Sequence, residues 1–149
     1  MDNELKIKVS YEISQIDKLL NESQPLQNLC KLKTPDFIEL SAVAMVLHSF
    51  YNGIENILIM IFKSYGEKLP NGNKWHMELM EMAFVQNCDR QIIFNIELKN
   101  ILEEYMKFRH LVRHIYNYKL NWSMMENIMN HININWETIK SDLNKFLNC

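Results

Sequence analysis

The 149-residue chain is 48% hydrophobic and 23% charged, which excludes a disordered polyelectrolyte and suits one domain, residues 1–149, with a sizeable core. Its formal net charge of −2 excludes a globally basic nucleic-acid binder, so any polyanion site has to be a local patch. Cys30, Cys88 and Cys149 are odd in number, far apart and without a Cys-x-x-Cys pair, so they read as reduced cysteines of a cytoplasmic protein rather than a disulfide frame or zinc knuckle.

With only three glycines and three prolines, the chain has few helix breakers, and apolar residues recur at helical spacing almost throughout. The opening "MDNELKIK" is charged and lacks the apolar core of a signal peptide. A first helix carries Leu5, Val9, Ile13, Ile16 and Leu20 until "NESQP" interrupts the pattern. Thr34, Pro35 and Asp36 read as a helix start, with a capping hydroxyl, proline in the first turn and an acid at the positive end of the dipole. The helix that follows carries Leu40, Val43, Leu47, Phe50, Ile54, Leu58 and Ile61 and stops near Gly66. It is the best membrane candidate, but its uncharged run from Leu40 to Ile54 is 15 residues, short of the roughly 20 a spanning helix needs. A buried core helix is expected, and no membrane partner.

"PNGN" reads as a turn, with Asn73 capping a short helix that contains "WHMELMEMAF". Asp89 is expected to cap a long helix reaching about Tyr118, and Ser123 with Glu126 forms a capping-box pattern before the last helix. That helix holds Met125, Ile128, Ile132, Trp136, Ile139, Leu143 and Phe146. The expected fold is an all-α, up-and-down bundle of four long helices plus one short helix.

The densest cluster of reactive side chains is "FRHLVRHIYNY", Phe108 to Tyr118. At about 100° per residue, Leu98, Ile101, Tyr105, Phe108, Val112 and Ile115 fall to one side of Arg109. Arg113, Asn117, His110 and His114 follow on the other. Between Lys99 and Lys119 there are five basic and two acidic side chains, a local charge of +3 in a chain of net −2. One reading is a solvated face with a few salt bridges. A second is a metal site on His110 and His114 at i, i+4, although its third ligand is unassigned and Arg109 and Arg113 would repel a cation. A third is acid–base work on a phosphodiester, with histidine moving protons and arginine holding the anion.

Glu55 bears on the choice. It sits among Tyr51, Leu58 and Phe62 at the edge of an apolar stripe, where it is either a surface glutamate or a carboxylate that needs a partner. In the second case it would orient Arg109 or Arg113 from the facing helix.

Arg109-x4-His114-x-Tyr116 resembles the R-x4-H-x-Y motif of HepT-type toxins in the HEPN superfamily of small helical ribonucleases. His110, directly after the arginine, fits that superfamily's polar position, and "HSFYNGIENIL" and "LPNGNKWHMELMEMA" resemble the corresponding upstream helices. The resemblance covers about Asp36 to Trp122 and adds no signature to the first and last helices. It implies a HEPN-like bundle and a metal-independent endoribonuclease without cofactor, the toxin half of a toxin–antitoxin pair. Arg109 and His114 would be catalytic, with His110, Arg113 and Glu55 in support. It also implies an RNA substrate, a minimal nucleotidyltransferase (MNT) antitoxin that adds nucleotide from ATP (AMPylation) to Tyr116, with Tyr118 as the competing acceptor, and a homodimer with a composite site. The composite site answers a geometric problem, because Arg109 and His114 point about 140° apart on one helix. A non-catalytic RNA-binding or protein-docking helical module is the alternative; it would explain the bundle and basic patch without needing both histidines or Tyr116.

Overall fold

In the computed structural model, residues 2–114 and 119–149 are described, and every regular element among them is helical. The order is α1 (Asn3–Glu22), α2 (Gln24–Leu32), α3 (Phe37–Ser64), α4 (Trp75–Met82), a 3-10 turn (Ile96–Leu98), α5 (Lys99–Arg113), α6 (Trp122–Asn130) and α7 (Ile132–Leu147). The all-α class stands; the first helix ends where "NESQP" interrupts the pattern, a further short helix, α2, follows it, and the last expected helix is divided in two.

Both breaks, after α1 and between α6 and α7, have local causes. After α1, Ser23 donates its hydroxyl to the Leu20 carbonyl, and Gln27 donates to the same oxygen. Pro25, in the first turn of α2, has no amide to continue the α1 ladder. The α6–α7 break falls at His131, whose backbone leaves helical geometry (φ −109°, ψ 9°) and whose Nδ1 donates to the Asn127 carbonyl.

Three expected helix starts shift. Asp36 rather than Thr34 caps α3, in a reciprocal capping box with Glu39. Lys74 rather than Asn73 occupies the cap position of α4. Asn121 caps α6 by accepting from the Ser123 amide and hydroxyl, so the expected Ser123–Glu126 box is not the cap.

Asp89 caps no helix. The segment between α4 and α5 is a loop whose two ends meet, since the Ala83 carbonyl accepts the amides of both Ile93 and Phe94. Ile93 and Phe94 are buried, and Arg90, also buried, clamps the loop. Arg90 donates from Nε and Nη2 to Glu67 (2.6 and 2.9 Å) and to the carbonyls of Met82, Val85 and Gln91, with its guanidinium over the Phe62 ring.

The core is one cluster centred on α3, which is long and apolar enough to cross a membrane, although 61% of its most apolar stretch is buried inside the protein. Gly53 lets α1 approach closely, because a Cβ there would lie 2.9 Å from Ile16. Phe50 meets Tyr105 of α5 and Trp136 of α7 edge-on. Helix α5 runs antiparallel to α3. Its preceding loop is clamped to Glu67, Arg109 meets Asn52 and Glu55, and the charge of Arg113 acts on His48.

Candidate functional site

Arg109 points inward rather than along the border of the apolar arc. Leu102, about 20° beyond it on the helical wheel, is fully buried, so the buried face of α5 includes the arginine's direction. Its side chain keeps 11% of its surface accessible and ends against α3 and α4. Nε donates to Asn52 Oδ1 at 3.4 Å and lies 3.4 Å from Glu55 Oε1. Nη1 lies 3.0 Å from His76 Nε2.

Glu55 is 2% exposed, so its carboxylate has almost no water and depends on partners. His76 Nδ1 lies 2.6 Å from its Oε2, and Arg109 covers Oε1. Of the two arginines that could face it from α5, Arg109 is the one it meets. The tautomer with hydrogen on Nδ1 satisfies every group at once: Nδ1–H donates to Glu55 and the Nε2 lone pair accepts from Arg109. Tyr51, one turn before Glu55, is fully buried, and its hydroxyl has no hydrogen-bond partner among the described residues. Burial, and secondarily the Glu55 charge, push its pKa well above the usual phenol range, so it stays neutral. His48 Nδ1 likewise has no partner among the described residues. Desolvation first, then the charges of Arg109 and Arg113, hold its pKa below the ordinary histidine value.

The Arg109–His76 pair forms the floor of a cleft of about 640 Å³ between α4 and α5. Asn73, Lys74, Lys107 and His110 bring polar and cationic groups to it, and Met77, Met106 and Leu111 supply apolar wall. Among the described residues, no carboxylate lines it. Met77 and Leu111 remain 36% and 37% exposed, so part of that wall faces solvent. Arg109 Nη2 has no hydrogen-bond partner among the described residues, which leaves donors for an anion entering the cleft.

Arg109 and His110 therefore line this cleft, with Glu55 buried behind Arg109, whereas Arg113 and His114 do not line it. Both are exposed; His114 caps the C-terminus of α5, and its ring packs 4.8 Å from that of His110 at 60°. Tyr116 and Tyr118 lie outside the described residues. Among the described residues, no group of three or more metal-ligating side chains forms. Sequence reasoning missed His76, Asn52 and His48. The available signal was Glu55 itself: a carboxylate within an apolar stripe demands partners, and His76 opens the next helix.

Comparison with curated proteins and with solved structures gives no match. The family model described as HepT-like protein matches residues 42–149, from the first turns of α3 to the end of the chain. HepT-like proteins are typically associated with toxin–antitoxin modules and fall in the HEPN superfamily, whose members are generally ribonucleases. Helical order, inward arginine and family match converge: the chain belongs to the HepT-like family of the HEPN superfamily.

Proposed function

We propose that the protein is the toxin of a HEPN/MNT module, a metal-independent endoribonuclease whose site is assembled by two protomers. The observation that carries this reading is Arg109, fixed at the floor of a cationic cleft that no described carboxylate lines, with donors that no described residue uses. A guanidinium held in place before the anion arrives stabilises added charge without reorganisation.

In the reaction, the ribose 2′-oxygen attacks the adjacent phosphorus while a histidine takes the hydroxyl proton. The bond from phosphorus to the 5′-oxygen breaks, that oxygen receives a proton, and the products end in a 2′,3′-cyclic phosphate and a 5′-hydroxyl. His114 is the proton-transfer residue and Arg109 the anion-binding one, with His110 and Arg113 in support. His114 sits at the exposed end of α5 and makes no hydrogen bond to Arg109 within the protomer, which supports a site completed by the α5 of a second copy. The MNT antitoxin would silence the site by AMPylation of Tyr116.

The test is cleavage of RNA by the purified protein in a chelator, with end-group analysis of the products. Cyclic phosphate ends are expected, together with a rate loss on the order of 10²-fold or more for His114→Ala. Products with 3′-hydroxyl ends, or an unimpaired His114→Ala, overturn the assignment. RNA binding without turnover would instead establish the non-catalytic module.

A further inference from the structure

We infer that His76, on α4 and 33 residues from Arg109, is a positioning residue that fixes the Arg109 guanidinium through its Nε2. The inference rests on the ribonuclease reading of the cleft for its kinetic consequence, but not for its geometry. An arginine has several rotatable bonds, and ordering it costs entropy that must be met before substrate binds. Here both sides of the fork are held: Nε against Asn52 and Glu55, Nη1 against His76.

Glu55 acts twice. It attracts Arg109 directly through Oε1, and through Oε2 it takes the Nδ1 hydrogen of His76, so that the other ring nitrogen presents a lone pair to Arg109. A ring with hydrogen on both nitrogens would set donor against donor at Nε2. The ring plane is fixed as well, since Trp75 packs on His76 with centroids 3.5 Å apart, while Leu79 and Met80 bury the next turn of α4. A histidine that served only to neutralise buried Glu55 would need no acceptor toward Arg109.

Amide variants separate the two functions. The side-chain nitrogen of His76→Asn falls near Nδ1 and keeps a donor for Glu55 without an acceptor for Arg109. The side-chain oxygen of His76→Gln falls near Nε2 and restores that acceptor. In His76→Phe, which keeps the ring and loses both bonds, kcat is expected to fall on the order of 10²-fold, the scale of misplacing a reacting group by about 1 Å. KM should change less, because Lys74 and Lys107 still meet the RNA. His76→Gln should recover much of kcat and His76→Asn should not, at comparable thermal stability. Independently of activity, ¹⁵N spectra at neutral pH should show His76 Nε2 without hydrogen. The Arg109 Nε–H signal should broaden or shift in His76→Phe and His76→Asn but not in His76→Gln.

If the wild-type protein cleaves no RNA, the functional reading fails while the spectra still decide the role of His76. If it does cleave and a folded His76→Phe matches it, or if Nε2 carries hydrogen, the inference is wrong. Should His76→Phe not fold, the contrast between the two amide variants and the wild-type spectrum decide it.

Discussion

The side chains around Glu55 form a layered electrostatic unit in which each charge has a reason for its position. Glu55 neutralises Arg109, and His76 completes the pairing without adding a charge in the tautomer the hydrogen bonds favour. His48 lies on the same face of α3, where burial first, and then the charges of Arg109 and Arg113, disfavour its protonation. Its folded-state pKa lies below 6.5, so as pH falls through that value the unfolded chain takes up a proton first, and folding stability declines. Thermal unfolding followed from pH 7 downwards should show this loss starting near pH ~6.5, and His48→Gln should flatten that part of the profile. A variant profile identical to wild type would show that His48 does not carry the effect. That Glu55 needs a cation from α5 was legible from its place in an apolar stripe. That His76 would share it was not, because a contact across the α3–α4 turn depends on how far α4 slides along α3, which residue spacing does not encode.

At the level of elements, the core faces of α1, α3 and α7 were legible because their apolar residues keep strict helical steps. The start of α5 was not. Asp89 has the chemistry of a cap, but Asn87 accepts the Asp89 and Arg90 amides in a tight turn, and the helix begins only at Lys99. Burial of Ile93, Phe94 and Arg90 outweighs the local capping preference, a tertiary effect that leaves little trace in a short window. Leu102, left out of the apolar arc, made Arg109 look peripheral when it points inward. Arg90 is the fastener of this region. Arg90→Met should retain the packing over Phe62 but leave Glu67 and several carbonyls without a donor, costing ~3–5 kcal/mol, the scale of breaking a buried pair. Chemical denaturation measures this, and a loss below ~1 kcal/mol would mean that water replaces the guanidinium at little cost.

For the whole molecule, the separation of Arg109 from His114 leads to an expectation about assembly. Sedimentation at micromolar concentration should show a homodimer with the end of α5 at its interface. A strictly monomeric species that still cleaves RNA would contradict the composite site. The partner protein is tested separately: co-expression with the antitoxin should add adenylyl groups to the peptide containing Tyr116, and Tyr116→Phe should give a toxin that is no longer inactivated covalently. Neutralisation of unmodified toxin by tight binding alone would remove the modification from the proposal and leave the cleavage chemistry intact.

The single oxygen of Ala83, which receives both Ile93 and Phe94, means that the chain leaves and re-enters the body of the protein at nearly the same point. Such a loop is a detour: its length can change without altering the distance between the helices that carry His76 and Arg109. Added residues at the exposed tip around Cys88 would cost little, since doubling a loop's length adds only ~0.6 kcal/mol of closure entropy. Insertions at that tip should therefore leave the geometry of the cleft unchanged.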